Sequence, residues 1–163
     1  MRPIFLMLTV LTTQSQTPLP KAPPQSPPKI MVLPRARFTQ DMLTKNLEDI
    51  LTLYTPDAVF IDPSGQEADS PATMRKFYEH IFATYDSDLV WGKTSTDFET
   101  PHGNQKLLLV VQSGEYSENL GLRESGKTMH MCGDYKFSYI QQDSGQWLIS
   151  RMEWTGSPCP STT

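Results

Sequence analysis

Asp62 is the residue whose type and position most directly suggest chemistry. It ends a short apolar segment, AVFID, and alternation along a strand places it on the same face as Ala58 and Phe60. A pocket on that face would surround the carboxylate with apolar side chains, and desolvation would raise its pKa toward the range of a general base. The residues that follow, PSG, equally suit a type I turn that begins at Asp62. The sequence leaves both interpretations open.

Two further polar side chains, those of His130 and Glu153, lie on segments with strand-like patterns. Alternation places His130 on the opposite face of its strand from its methionine neighbours, where a histidine is more often solvated or structural than functional. Glu153 is predicted to share a face with Ile149 and Arg151, and it could line a pocket or pair with the arginine. Aromatic side chains are available for pocket walls or for the core: Phe38, Phe60, Tyr78, Trp91, Tyr116 and Tyr135.

The composition and the motifs exclude several classes of protein. The chain has 163 residues, a formal net charge of -4 and no cluster of lysine and arginine, so no nucleic-acid partner is expected. It lacks the apolar run of about 18 residues that a membrane-spanning helix needs. No zinc-motif spacing, phosphate loop, nucleophile elbow or dinucleotide fingerprint is present. We therefore predict no metal, no cofactor and no membrane insertion of the mature domain.

The N-terminal residues 1–17, MRPIFLMLTVLTTQSQT, have the pattern of a secretory signal peptide: one basic residue, an apolar segment, then small and polar residues. This predicts a secreted or periplasmic protein. The alternative is a cytoplasmic protein with a disordered leader, or one whose true start is Met31 rather than Met1. Residues 18–34 hold seven of the fourteen prolines and are predicted to form an extended linker that joins neither a helix nor a central strand.

Apolar spacing predicts one domain over residues 35–157. Helices are expected at about 36–45 and 47–54, with a break at Lys45-Asn46 because asparagine tolerates the left-handed conformation that ends a helix. A third helix is expected at about 71–85, starting at Ser70 and burying Phe77 and Ile81 on its apolar stripe. A short strand precedes this helix and long antiparallel strands follow it, which indicates an α+β domain with a C-terminal tail, residues 158–163.

The chain has two cysteines, Cys132 and Cys159. In an exported protein they can pair. The predicted hairpin places Cys132 opposite about residue 155, and Pro158 and Pro160 prevent the tail from extending the strand, so the tail can fold back over Cys132. A bridge needs Cα atoms within about 7 Å of each other. The sequence leaves open both a disulfide and two free thiols.

The order of the elements and three segments resemble the nuclear-transport-factor-2-like (NTF2-like) superfamily. LEDILTLYTPDAVFIDPSG is similar to its second helix and first strand, PATMRKFYEHI to its third helix, and GDYKFSYIQQDSGQWLISRMEW to its closing hairpin. Within the superfamily, the chain is most similar to the SnoaL-like and ketosteroid-isomerase-like branch. The resemblance implies a cone-shaped, curved antiparallel sheet that is wrapped around three N-terminal helices and open at one end.

The resemblance also bears on the candidate residues. Steroid isomerases of this superfamily carry their proton-abstracting aspartate in an Asp-Pro step after the first strand, which matches Asp62-Pro63. The tyrosine that donates to their oxyanion corresponds to Phe38, which has no hydroxyl, and their second donor, a protonated acid, corresponds most nearly to Asp134. Because one such donor contributes about 3 kcal/mol to catalysis, steroid isomerisation is not expected.

Two functions remain open from the sequence. One is a domain that binds a small apolar or aromatic molecule in the cone, with Asp62 as its candidate base and Glu153 or His130 as a partner. The other is a non-catalytic association module that forms a homodimer through the outer face of the sheet. The superfamily that the chain resembles contains both kinds, so the fold alone does not choose between them. The missing hydroxyl at Phe38 favours the second function, or a chemistry other than steroid isomerisation.

Overall fold

The structure is a computed structural model and describes residues 32–99 and 109–160. The predicted signal peptide and most of the predicted linker lie outside these residues. The described helices are α1 (Val32–Thr44), α2 (Leu47–Leu51) and α3 (Pro71–Thr84). The described strands are β1 (Tyr54–Ile61), β2 (Glu67–Ala68), β3 (Tyr85–Glu99), β4 (Leu109–Leu122), β5 (Thr128–Gln141), β6 (Trp147–Trp154) and β7 (Ser157–Pro158).

The first helix starts earlier than its apolar spacing predicts. α1 includes Pro34, and proline is tolerated in a first helical turn because the N–H that it lacks would have no intrahelical acceptor there. The prediction that residues 18–34 join no helix is therefore wrong for residues 32–34. The break after α1 lies where it was expected, but Lys45 takes the left-handed conformation, with a φ of 54°. Asn46 instead caps α2, because its side chain accepts a hydrogen bond from Asp49 N.

The third helix begins at the predicted residue with a reciprocal cap. Ser70 Oγ accepts a hydrogen bond from Thr73 N, and Thr73 Oγ1 accepts one from Ser70 N. Pro71 then occupies the first turn, where its fixed φ suits a helix. Within the described residues, no helix combines the length and apolar character that crossing a membrane requires.

The most deeply buried residues of the apolar stripe of α3 are not the ones that were expected. Met74 and Tyr78 lie in the core with 2% and 1% of their surfaces exposed, whereas Phe77 and Ile81 are half-buried at its edge. Phe77 still packs on Phe60 of β1, with ring centroids 4.4 Å apart. The prediction that Phe77 and Ile81 are core residues is therefore wrong in detail. The helix is rotated so that Met74 and Tyr78 face the sheet most directly.

The seven strands of the described residues form one curved, unclosed sheet in the order β2-β1-β6-β5-β4-β3, and β7 pairs with β5. Antiparallel ladders join β3 to β4, β4 to β5 and β5 to β6. β1 lies parallel to β6, which differs from the wholly antiparallel sheet that was expected. A parallel pair needs a long crossover connection, and the chain supplies one because α3 and three long strands separate β1 from β6 in sequence.

The helices cover one face of the sheet, which we call the inner face. α1 packs against α2, β3 and β6, and Phe38 contacts Trp91, Phe137 and Trp154 with ring centroids 5.7–6.4 Å apart. Alternate residues of each strand contribute to this face. The largest fully buried side chains are Tyr78, Tyr135, Tyr139, Phe38, Phe137, Ile50, Ile149, Met152 and Val110. The core is therefore mainly aromatic.

A β-bulge in β6 changes which of its residues point to the opposite, outer face. The ladder with β5 shifts register between Ile149 and Arg151, so Ser150 is an extra residue in this strand. Ile149 is fully buried on the inner face, and the shift turns Arg151 and Glu153 to the outer face. The prediction that these three residues share one face is wrong, because simple alternation does not hold across a bulge.

Candidate functional site

Asp62 lies at the turn between β1 and β2, and its carboxylate is directed at the backbone of that turn. Asp62 Oδ1 accepts hydrogen bonds from Ser64 N at 2.8 Å, Ser64 Oγ at 2.6 Å and Gln66 N at 2.9 Å. The main chain closes the same turn, because Gly65 N donates to Asp62 O and Asp62 N donates to Gln66 O. Gly65 has a φ of 83°, which favours glycine. This geometry matches the turn interpretation of Asp62.

A polar cluster interrupts the aromatic core where α1 meets β3 and β5. Arg35 Nη1 donates to Tyr135 Oη at 2.7 Å and to Thr94 Oγ1 at 2.9 Å, and these two hydroxyls are 2.7 Å apart. The guanidinium lies over the Trp91 ring, 5.4 Å from its centroid. Trp91 Nε1 donates to Thr39 Oγ1 at 2.8 Å. We call these residues the Arg35 cluster: Arg35, Thr39, Trp91, Thr94 and Tyr135.

The Arg35 guanidinium retains donors that a ligand could use. Among the described residues, only its Nη1 donates to a side chain, and none of their carboxylates lies within 4.0 Å of it. The planar fork of an arginine matches a carboxylate or a phosphate, with two parallel hydrogen bonds. The hydroxyls and the tryptophan ring hold the guanidinium in place without neutralising its charge. The Arg35 cluster can therefore receive an anionic group.

A depression of about 480 Å³ lies at Thr94 and Tyr135, on the outer side of the sheet from Arg35, which does not line it. Its lining residues are Lys93, Thr94, Ser95, Ser113, Gly114, Glu115, Asp134 and Tyr135. It lies at a β-bulge, because Trp91 pairs with Tyr116 and Thr94 with Gly114, which leaves two residues of β3 opposite one of β4. A Cβ atom at Gly114 would lie 2.1 Å from Lys93 O, so only glycine fits there. The bulge thus depends on glycine and sets the position of Thr94 beside Arg35.

The aromatic residues that were candidates for pocket walls are mostly core residues. Those that expose no more than 5% of their surface are Phe38, Phe60, Tyr78, Tyr116 and Tyr135. Trp91 is half-buried and packs against the core. Of this set, Trp91 and Tyr135 belong to the Arg35 cluster, and Tyr135 also borders the depression. Most of these aromatic residues therefore pack in the core, and only Trp91 and Tyr135 lie beside Arg35.

Several buried hydroxyl groups of the core remain protonated at neutral pH. Tyr54 Oη and Tyr78 Oη lie 2.5 Å apart, and burial raises the pKa of both phenols well above the ordinary value. Burial raises the pKa of Tyr116 to about 12 and also raises the pKa of the Glu118 carboxyl, which accepts a hydrogen bond from Ser87 Oγ. The Tyr54–Tyr78 pair therefore joins β1 to α3 as a neutral hydrogen bond.

Three polar residues that were candidates for the pocket point to the outer face: His130, Asp134 and Glu153. His130 and Asp134 lie an odd number of residues from the inner-face residue Tyr135 on β5, and the ladder with β4 is regular, so both point to the outer face. The bulge in β6 turns Glu153 to the outer face as well. Glu153 forms an ion pair with Arg151, and Asp134 lines the depression from the outer side. Because these three side chains do not line the inner face, neither Glu153 nor His130 lies where it could assist a base on that face.

Cys132 and Cys159 form a disulfide, with their Cα atoms 4.9 Å apart. The tail does not extend β6 but folds back over Cys132, as expected, and pairs with β5 as the two-residue strand β7. Proline is tolerated here because β7 is a short edge strand. Cys159 N donates to His130 O at 2.9 Å, and a ring nitrogen of His130 and the two sulfurs all lie within 4.8 Å of one another.

Arg35 and Asp41 were missed from the sequence. Arg35 precedes Phe38 by three residues and Asp41 follows it by three. Because residues three apart share a helix face, this spacing indicates that both side chains lie beside a core phenylalanine. Asp41 is only 7% exposed, and its Oδ2 has no hydrogen-bond partner among the described residues. Burial raises the pKa of the Asp41 carboxyl, and the nearby Arg37 opposes that rise.

Comparison with known proteins identifies the fold. Residues 36–105 match the model of the SnoaL-like domain, and no curated protein matches the chain in sequence. One similar solved structure, from Xanthomonas campestris, is described as a calcium/calmodulin dependent protein kinase II association domain. It is 20% identical, with a TM-score of 0.65, and the match covers 94% of this chain and all of that one.

Two further solved structures have the same architecture. A ketosteroid isomerase-like protein from Erwinia carotovora atroseptica is 13% identical, with a TM-score of 0.60 over 79% of this chain and 95% of that one. An NTF2-like superfamily protein from Salmonella enterica is 16% identical, with a TM-score of 0.58 over 82% of this chain and 92% of that one. The curved sheet with three helices on its inner face is thus an NTF2-like fold. The chain is therefore similar to the SnoaL-like domain over residues 36–105 and has an NTF2-like fold.

Proposed function

We propose that the protein binds a small molecule that carries an anionic group on an apolar or aromatic body. The observation that carries this proposal is the Arg35 guanidinium, which donates hydrogen bonds to Tyr135 and Thr94, lies over the Trp91 ring and keeps further donors for a ligand. It has no carboxylate within 4.0 Å among the described residues. A positioned arginine fork suits a carboxylate or a phosphate.

The proposal is for binding and does not include catalysis by Asp62. Asp62 Oδ1 accepts three hydrogen bonds from its own turn, and abstracting a proton from a ligand would require that carboxylate to leave the turn. Phe38 supplies no hydroxyl to an oxyanion, and it is packed in the core. The Arg35 cluster therefore suits the recognition of a ligand better than the transfer of a proton.

The test is a thermal-shift titration with matched pairs of aromatic carboxylates and their neutral amides, such as benzoate and benzamide, and with inorganic phosphate. At ten times the Kd, binding adds about 1.4 kcal/mol to the free energy of unfolding, so the Tm should rise. Carboxylates are expected to stabilise the protein and amides are not. Arg35→Gln should abolish the effect, and Arg37→Gln, on the exposed side of the same helix, should retain it.

The controls make the outcome decisive. If no anion of the panel stabilises the wild type more than its neutral counterpart does, the binding proposal is wrong. An Arg35→Gln protein that responds as strongly as the Arg37→Gln protein would show that binding occurs elsewhere. Circular dichroism of both variants checks that they fold, since Arg35 also positions Tyr135 and Thr94.

A second candidate function is a non-catalytic association module that forms a homodimer through the outer face of the sheet. It is supported by the Xanthomonas campestris protein described as an association domain, whose match extends over 94% of this chain. Light scattering on the thermal-shift samples separates the two candidates. A stable dimer that shows no response to any anion favours association, whereas a response that depends on Arg35 favours ligand binding.

A further inference from the structure

We propose that the reduced protein binds one thiophilic metal ion of the zinc class through Cys132, Cys159 and His130. A ring nitrogen of the histidine and both sulfurs lie within 4.8 Å of one another. The three side chains come from two segments that the sheet brings together, β5 and the C-terminal tail. Thiolate and imidazole are the usual ligands of zinc, and three protein ligands leave a fourth position for water. The site lies on the outer face, apart from the Arg35 cluster.

The spacing of the three groups suits an ion once the disulfide is open. In a tetrahedral site with Zn–S bonds of about 2.3 Å and Zn–N bonds of about 2.0 Å, neighbouring ligand atoms are about 3.5–3.8 Å apart. Reduction allows the Cys132 and Cys159 sulfurs to separate to that distance. Because all three ligand atoms already lie within 4.8 Å of one another, rotations of the side chains bring them toward this spacing.

The imidazole of His130 is already oriented by a neighbouring strand. Its Nδ1 lies 2.8 Å from Asn119 Oδ1 on β4, so the Nδ1–H donates to the amide oxygen. This hydrogen bond fixes the tautomer that leaves a lone pair on Nε2, and histidines that bind metals commonly hold their second nitrogen in this way. The His130 side chain is exposed, so an ion can reach it from solvent.

The backbone keeps the second cysteine near the first without help from the disulfide. Cys159 N donates to His130 O at 2.9 Å, and the preceding residues of β7 pair with Cys132 and its neighbour in β5. These hydrogen bonds remain possible when the disulfide opens. The reduced tail therefore presents its thiol to Cys132 and His130 as part of a folded edge strand.

The chemistry is a reduction followed by metal binding. A dithiol reductant gives two electrons to the disulfide and becomes a disulfide itself, while Cys132 and Cys159 become thiols. The ion then replaces the two thiol protons, which pass to solvent, and takes one nitrogen of His130 and a water molecule. The oxidised protein cannot bind the ion in this way, because its sulfurs carry no thiolate. The disulfide and the ion are thus alternative links between the tail and β5.

The test uses untagged protein, either oxidised or reduced with a dithiol that is then removed, and titrates it anaerobically with Co²⁺ as the probe. The reduced protein should bind one Co²⁺ with a sulfur-to-cobalt charge-transfer band, Zn²⁺ should displace it, and the oxidised protein should show no band. His130→Ala should weaken binding by about tenfold or more. His80→Ala, which alters an exposed histidine of α3, should leave the affinity unchanged.

Three results would overturn the proposal. The first is equal cobalt binding by the oxidised and reduced proteins, and the second is equal affinity of the His130→Ala and His80→Ala proteins. The third is a cobalt spectrum that survives reoxidation with diamide. Reoxidation needs no cysteine variant, so the test does not depend on whether a Cys132→Ser protein folds. Circular dichroism follows the fold of the reduced protein, and loss of its native signal on reduction also contradicts a site built on β5 and β7.

Discussion

At the scale of single residues, hydrogen-bond geometry favours the turn interpretation of Asp62 over the base interpretation. The Asp62-Pro63 step suits both a base and a turn in sequence, but the carboxylate accepts bonds from Ser64 and Gln66 of its own turn. Local bonds of this kind hold the backbone in a turn instead of a continued strand. Asp62 therefore matters for the connection between β1 and β2, and in the binding that we propose the charge comes from Arg35.

Substitutions at Asp62 separate these roles by their effect on stability. Asp62→Ala removes the acceptor of three hydrogen bonds, and we expect the free energy of unfolding to fall by about 1.5 kcal/mol or more, since each bond contributes about 0.5–1.5 kcal/mol net. Asp62→Asn keeps an acceptor oxygen and should change the free energy by less than about 0.5 kcal/mol. Urea denaturation measures both. Equal losses in the two variants, or no loss in the alanine variant, would contradict the turn assignment.

At the scale of elements, the crowding around β5 sets the path of the chain after β6. A Cβ atom at Gly133 would lie 1.8 Å from Thr155 O and 2.8 Å from Gly156 Cα, so the segment between β6 and β7 crosses directly over this glycine. Both contacts are to backbone atoms, which cannot move aside as a flexible side chain would. Gly133 thus allows the tail to approach β5 closely enough to pair with it.

Replacing Gly133 tests this crossing. Gly133→Ala should displace the segment around Thr155 and lower the free energy of unfolding by about 2 kcal/mol or more, because the added methyl group has no space. Gly121→Ala in β4 is the matched control, since its Cβ would lie 3.6 Å from the nearest atom, and it should be neutral or slightly stabilising. Thermal and urea denaturation measure the difference. Similar stabilities of the two variants would mean that the chain does not cross at Gly133.

At the scale of the whole molecule, the N-terminal segment and the two cysteines both indicate the cellular compartment of the protein. Residues 1–17 have the pattern of a signal peptide, and disulfides such as Cys132–Cys159 persist in oxidising compartments. We therefore propose that the protein is exported.

Mass spectrometry of fractionated cells tests the export proposal. The mature chain should begin between Gln16 and Pro18, and alkylation without a reductant should modify neither Cys132 nor Cys159. Alkylation after reduction is the control and should modify both. A cytosolic protein that begins at Met1 or Met31, or that carries two alkylated cysteines without reduction, would contradict export.

Much of the fold was predictable because its signals are local. The helical spacing of apolar residues and the Ser70 cap predicted three helices, and the strand patterns after them predicted an α+β domain. Boundaries were less accurate where two local rules compete, as at Pro34, which can end a linker or begin a helix. The rotation of α3 also escaped prediction, because a wide apolar stripe does not specify which of its residues face the sheet.

The sequence by itself determined what neighbouring residues decide together: the cap of α3 at Ser70 and the presence of two cysteines that could pair. Only the tertiary structure decided the Ser150 bulge, the parallel pairing of β1 with β6, and the contact between Arg35 and Tyr135, which are 100 residues apart. Capping and turn bonds form within a few residues, so residue type and spacing encode them. Register and long-range contacts depend on how complete elements pack against one another, and a one-residue shift in a strand reverses every side chain after it.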